Sequence, residues 1–180
     1  MKTLARWSLE DYHRMINTGI LAGRQVELLA GEIVEMSPEA PEHKFYEEEL
    51  ADYLRRKLQG KALVSEARPI TLSDSEPEPD ICVVKLPRNN YRQRHPSHED
   101  IFLLVEISNS SLAYDLGDKK QVYASAGIIE YWVLDLKQKQ LRVFRQPSGS
   151  GYQESFMVDS GKISPVAFPD VELEIPQFLN

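Results

Sequence analysis

Glu106 lies inside the apolar run "FLLVEISNSS", between Val105 and Ile107, and Asp80 closes the acidic, proline-rich stretch "SEPEPD" directly ahead of "ICVVKL". An ionised carboxylate buried without a partner is costly, so an acid near the end of a buried strand is paired, protonated or bound to a metal. If the two strands are neighbours, both carboxylates meet at one end of a sheet. Two hard oxygen ligands with open water positions suit Mg²⁺ or Mn²⁺. Lys119 and Lys120 follow on the next helical stretch, from whose first turns a side chain can reach back over the strand end. A metal held in this way lowers the pKa of bound water and neutralises charge on a phosphoryl oxygen, and a lysine beside it orients the nucleophile. Asp80, Glu106 and a lysine are therefore the candidate set for hydrolysis of a phosphate ester.

Each of these residues also has a plainer use. Asp80 after a proline can cap a turn, Glu106 can pair with an arginine, and the two lysines can face water on a helix. What favours the chemical use is their order, with acid, acid and lysine falling on strand, strand and following helix.

The elements that must position them read as follows. "SLEDYHRMINTG" carries a Ser8 N-cap, apolar Leu9, Tyr12 and Ile16 and a Gly19 stop, and predicts a short helix. "RQVELLAGEIVEMSP" reads as a hairpin around Ala30-Gly31. Between Glu39 and Leu58, Phe45, Leu50, Leu54 and Leu58, with Tyr46 and Tyr53, predict the longest helix, ended by Gly60. "ALVSEAR", "PITL", "PDICVVKL" and the nearly continuous apolar "DIFLLVEIS" read as strands. Asp115 to Ala126 reads as a helix opened by Asp115 as N-cap and stopped by Gly127, and "IEYWVLDL" as a further buried strand. Shorter strands, "QLRVFRQ", "GYQESFMV" and "VELEI", complete the chain and are expected to extend the sheet. From Glu39 to Asp135 the order is helix, three strands, helix, strand: an α/β core with a mixed sheet flanked by helices.

A length of 180 residues with 42% hydrophobic content suffices for one core, so residues 1–180 are expected to form a single domain. The longest apolar runs fall far short of a spanning helix and no signal-type core follows Met1, which predicts a soluble, cytoplasmic protein without a membrane partner. The lone Cys82, between Ile81 and Val83, excludes an intramolecular disulfide and a cysteine metal cage, and reads as a small buried apolar residue. A net charge of -7 confines any nucleic-acid contact to a local patch. "KLPRNNYRQRHPSH", Lys85 to His98, holds four Lys/Arg, two His and no acid. It makes Arg88, Arg92 and Arg94 candidates for contact with a phosphate backbone, or else marks a solvated loop.

The segments "VELLAGEIVEMSPEAPEH", "PEPDICVV" and "LLVEISNSSLAYDLGDKKQVYASAGIIEYWVLD" resemble the Uma-two family of bacterial endonucleases, formerly a domain of unknown function. The resemblance runs from about Val26 to Asp135 and continues weakly to "PDVELEI". That family is similar to the PD-(D/E)XK restriction-endonuclease-like nucleases, whose core has the element order just read. The resemblance implies a divalent-metal-dependent endonuclease acting on DNA, with Asp80 and Glu106 as ligands for Mg or Mn. In the superfamily a lysine stands two residues after the second acid, but here that position is Ser108. The family's lysine lies in the following helix, where Lys119 matches it and Lys120 is its neighbour. The family's pattern also matches Glu35, Met36, Pro38 and His43. Glu35 is then a third acid near the site or a cross-strand partner of an arginine, and His43 a phosphate or proton-transfer group or a stabiliser of the helix start. A homodimer is the expectation for an enzyme that cuts two strands. The rival expectation is a catalytically inactive nuclease fold serving as a nucleic-acid-binding or oligomerisation module, with Ser108 as the feature that raises it.

Overall fold

The structure is a computed structural model and describes residues 4–179. Its first element is α1 (Leu9–Asn17), where Ser8 and Asp11 form a reciprocal capping box. Tyr12 is its buried residue, while Ile16 stays 48% exposed and so lies off the packed stripe. β1 (Val26–Leu29) and β2 (Glu32–Glu35) pair as the expected antiparallel hairpin. Ala30 and Gly31 both take positive φ, 48° and 75°, as the tightest hairpin turn demands. This hairpin forms a two-stranded sheet of its own, tied to the rest by an isolated bridge between Leu28 and Glu76 and by the Gly31 amide donating to the Asp74 carbonyl at 3.1 Å.

The central sheet has six strands in the order β3 (Leu63–Glu66), β4 (Ile81–Val84), β5 (Ile101–Ser108), β6 (Glu130–Asp135), β7 (Gln140–Ser148) and β8 (Gly151–Val158). All neighbours run antiparallel except β5 and β6, which are parallel with Glu106 opposite Val133. A parallel pair needs a crossover. That crossover is α3 (Leu112–Tyr114), a π-helical turn (Asp115–Lys119) and α4 (Lys120–Ser125). Along β5 alternate residues serve two cores. Leu103, Val105 and Ile107 pack with Leu50, Ala51 and Leu54 of α2 (Pro41–Lys57), and Leu104 packs with Tyr123 and Tyr131 beneath the crossover helix. Cys82 is buried in this second core, as its apolar neighbours predict.

The structure corrects several sequence expectations. "PITL" is not a strand: the Ile70 amide donates to the Pro77 carbonyl, that of Thr71 to Pro96 and that of Leu72 to Ser75. Ile70 and Leu72 are buried as parts of a packed loop, and alternation alone could not tell that from a pleat. Phe45 is 58% exposed, because the inner face of α2 runs through Glu47, Leu50, Ala51 and Leu54 instead. β7 and β8 extend the main sheet, but β9 (Lys162–Ile163) and β10 (Leu173–Glu174) pair with each other in a separate two-stranded sheet. Asp115 is not an N-cap: Ser111 takes that position, and Asp115 sits inside the crossover helix, buried. Among the described residues no helix is long and apolar enough to cross a membrane.

Candidate functional site

The antiparallel register pairs Ile81 with Val105, which sets Asp80 beside Glu106 on the next strand. The Asp80 carboxylate rests on the peptide that joins Glu106 to Ile107, with the Ile107 amide donating to Oδ2 at 2.6 Å. Glu106 is 2% exposed. From the last residue of the π turn, Lys119 reaches back to it, Nζ donating to Oε1 at 3.0 Å, and the Tyr123 hydroxyl donates to the same oxygen at 2.9 Å. Asp80, Glu106 and Lys119 thus come together at one end of the sheet.

Ser108 explains how the lysine arrives there. It occupies the strand position two residues beyond Glu106, and its Oγ donates to Asp115 Oδ2 at 2.6 Å. The Ser111 hydroxyl donates to that oxygen as well, at 2.6 Å, and Tyr131 donates to the Asp115 carbonyl at 3.0 Å. Asp115 opens the wide turn that Lys119 closes, so Ser108 anchors the turn that delivers the ammonium. π turns are rare and recur at functional sites.

A fourth acid belongs to this cluster. Glu27 of β1 is buried, with its Oε2 3.7 Å from Lys119 Nζ, and it accepts from the Tyr114 hydroxyl at 2.9 Å and from the Glu78 amide at 3.0 Å. Burial works against the charge on Lys119, but Glu106, Glu27, Asp80 and Asp115 outweigh it and hold the ammonium pKa above that of an ordinary lysine. One cation therefore faces four carboxylates. The hydrogen bonds to Glu106 all fall on Oε1 and those to Asp80 on Oδ2, which leaves Oε2 and Oδ1 with lone pairs for a further cation. Carboxylate oxygens are the ligands a hard divalent ion takes alongside several waters.

On the other side of Asp80 lies His43, in the first turn of α2, with Nε2 3.0 Å from Asp80 Oδ2. Burial opposes protonation of this imidazole, but the Asp80 hydrogen bond and the charges of Asp80, Glu39 and Glu47 raise its pKa overall. Glu47, one turn further along, is fully buried. Burial pushes its carboxyl up to about 7 against the pull of Lys44, whose Nζ lies 3.1 Å from Oε1.

The remaining candidates are placed elsewhere. Glu35 is exposed and accepts from Arg24 at 2.9 Å, and Lys120 lies 5.3 Å over the Phe144 ring on β7. Arg94 is paired in two contacts with Asp100, at 2.6 and 3.1 Å, and sits over Tyr91. Arg88 and Arg92 are exposed and carry no ion pair among the described residues. Arg92, Arg94, His13 and His95 line an open cleft of about 800 Å³. The cleft adjoins Asp100 at the start of β5, whereas Glu106 is six residues further on, which at ~3.3 Å per residue is roughly 20 Å away. Sequence reasoning missed Glu27 and Glu47. "VELL" carries for Glu27 the same signal as "LLVEIS" for Glu106, and Glu47 stands four residues after His43 and three before Leu50.

Comparison with known proteins follows the same line. A family model described as "Uma2: Putative restriction endonuclease" matches residues 9–176. No curated protein matches the chain. Among solved structures, one titled as a "putative nuclease belonging to DUF820" from Anabaena variabilis superposes with a TM-score of 0.70 at 16% identity, covering 86% of this chain and 89% of that one. At that identity the likeness is one of fold.

Proposed function

Because the chain belongs to the Uma2 family of restriction-endonuclease-like proteins, we propose that it is a divalent-metal-dependent endonuclease that hydrolyses DNA phosphodiester bonds at the Asp80–Glu106–Lys119 cluster. The observation that carries this reading is the buried Lys119 ammonium, 3.0 Å from Glu106 and surrounded by more carboxylates than it can neutralise. Asp80 and Glu106 would hold Mg²⁺ or Mn²⁺. When bound, such an ion lowers the pKa of a coordinated water and neutralises charge on the phosphoryl group.

The protein's own residues supply the rest. Tyr123 and Lys119 hold Glu106 in one orientation from one side, and the Ile107 amide and His43 hold Asp80 from the other, so both carboxylates are fixed before any substrate arrives. Lys119, kept charged by its neighbours, donates hydrogen bonds to the attacking water or to a non-bridging oxygen as negative charge develops there. Arg88 and Arg92 would contact the phosphate backbone away from the scissile bond, giving affinity without reading sequence. A homodimer, with one site for each strand, belongs to the same reading.

A second reading has its own observation. Lys119 neutralises Glu106 internally, as an inactive nuclease fold used as a binding module would require. Cleavage of supercoiled plasmid DNA with Mg²⁺ or Mn²⁺ separates the two. The endonuclease reading expects nicking by the wild type and its loss in both Asp80→Asn and Glu106→Gln. An inert wild type that still retards DNA in a gel supports the binding module instead.

A further inference from the structure

We propose that the open cleft beside Asp100 binds one unpaired nucleotide, its base laid on the Arg94 guanidinium and its phosphate met by Arg92 and His13. The cleft, of about 800 Å³, has the size of a small-ligand site and lies at the opening end of β5, away from Glu106. The proposal rests on the nucleic-acid part of the reading above and not on its metal site. Arg94 sets the character of the cleft. Its edge is clamped by both oxygens of Asp100, at 2.6 and 3.1 Å, and its Cζ stands 5.4 Å over the Tyr91 ring. Tyr91 is itself fixed, with its hydroxyl donating to the Lys85 carbonyl at 2.8 Å. Although its edge and one side are engaged, the Arg94 side chain remains 48% exposed, which leaves the opposite side of the plane to a ligand. A planar cation held in place is a platform on which any base can stack. Bases in a duplex are already stacked on one another, so the platform selects an unpaired one.

The phosphate end follows from the balance of charge. Asp100 is taken up by Arg94 and by the Ser97 amide and hydroxyl, at 2.9 and 3.0 Å, which leaves Glu99 as the other acid of the cleft against Arg92, His13 and His95. Arg92 is exposed and unpaired among the described residues. His13 is held in one orientation. Its Nε2 lies 2.9 Å from each oxygen of Glu76, and because a carboxylate only accepts, that nitrogen is the donor and Nδ1 is the ring atom left to meet a ligand. Glu76 is 5% exposed and is fixed in turn: the Thr71 hydroxyl donates to Oε2 at 2.8 Å, and the Glu76 amide donates to the Leu28 carbonyl at 2.7 Å. A phosphate in the cleft is met by Nδ1–H of the protonated ring and by the Arg92 guanidinium, both charge-assisted contacts. Gln93 adds an exposed amide that can donate to and accept from a base edge. Inorganic phosphate would use only the cationic half of this arrangement, and a nucleoside only the other.

Titration of the full chain in a chelator, with thymidine 5′-monophosphate and separately with a fluorescent oligothymidylate, tests this without reference to cleavage. In proton NMR the nucleotide should shift the His13 ring resonances, assigned by their loss in His13→Gln, and leave those of His43 beside Asp80 in place. Inorganic phosphate and thymidine should each bind at least about tenfold more weakly. Arg94→Lys keeps the charge and loses the plane, and should weaken both thymidylate ligands at least about fivefold, the lower end of what one base stack contributes. Circular dichroism close to wild type in Arg94→Lys excludes misfolding as the cause. Similar affinities for the mononucleotide and the oligomer assign the cleft to a free nucleotide, and an oligomer bound at least about tenfold tighter assigns it to a strand. No binding of either ligand, shifts at His43 in place of His13, or an Arg94→Lys affinity within about twofold of wild type overturns the proposal. None of these outcomes touches the Asp80–Glu106–Lys119 reading, which plasmid nicking tests, so the two fail separately.

Discussion

Replacing Lys119 by methionine keeps most of the side-chain volume and removes the charge, leaving Glu106 with Tyr123 as its remaining hydrogen-bond donor. The side chains of the pair are 7% and 3% exposed, so water cannot take over. Two routes then limit the cost. Leaving one charge of a buried pair unpaired costs about 3–5 kcal/mol. Alternatively Glu106 takes up a proton, and for a carboxyl of ordinary pKa 4.5 this costs roughly 3.4 kcal/mol at pH 7, at 1.36 kcal/mol per unit. The cheaper route wins, and because burial already raises the Glu106 carboxyl in the wild type this sets a ceiling, so Lys119→Met should lose up to about 3 kcal/mol at pH 7 in urea unfolding. Burial already holds the Glu106 carboxyl well above the ordinary carboxylate range with Lys119 in place, and losing the ammonium raises it further, so the penalty grows as pH rises through the wild-type titration of Glu106 and shrinks below it. At pH 5 it should be under about 1 kcal/mol. The double variant Lys119→Met/Glu106→Gln no longer has an acid to neutralise and should recover about 2 kcal/mol at pH 7. A Lys119→Met protein within about 0.5 kcal/mol of wild type at pH 7, or a double variant no more stable than the single one, would refute the buried pair.

Other parts of the structure give simpler expectations. Hydrogen bonding by Arg94 holds the Asp100 carboxyl at about 2, so its contribution to stability is present above the ordinary value of 3.8 and is lost as pH falls toward 2; Arg94→Ala should move acid unfolding, followed by circular dichroism, to higher pH. At Gly31, φ is 75° and an added Cβ would stand 3.0 Å from Arg6 Cβ and 3.2 Å from the Trp7 carbonyl oxygen, so Gly31→Ala should cost about 1–2 kcal/mol in urea unfolding. If Arg88 and Arg92 each contact a phosphate, their joint replacement by alanine should weaken DNA binding and reduce the slope of log K against log salt by about 2, measured by fluorescence anisotropy. An unchanged slope removes the loop from the interface.

Much of the site was legible because its acids interrupt regular elements. Glu106 sits inside a strand of apolar neighbours and Asp80 directly precedes another, and a buried pleat leaves an acid there with a specific task. The helix carrying Lys119 was legible as a helix, but its wide turn was not. Five residues of π geometry have no signature in the apolar period, and they are what turn Asp115 and Lys119 inward together and leave Lys120 over Phe144. Glu47 escaped notice because a glutamate on a charged helix reads as solvent-facing, whereas it fills a core position that the pattern wrongly offered to Phe45. Glu27 was hidden by connectivity. Its hairpin forms a separate sheet, and nothing local says that β1 leans on the crossover helix through Tyr114.

The central claim is that Lys119, delivered from the helix, does the work of a lysine that β5 lacks. The rate of plasmid nicking with Mn²⁺ by Lys119→Met, set beside that of Lys120→Met, tests it most directly. The account predicts a loss of at least about a hundredfold in the first variant and a rate close to wild type in the second. Nicking at the wild-type rate by Lys119→Met, or a comparable loss in Lys120→Met, would contradict it.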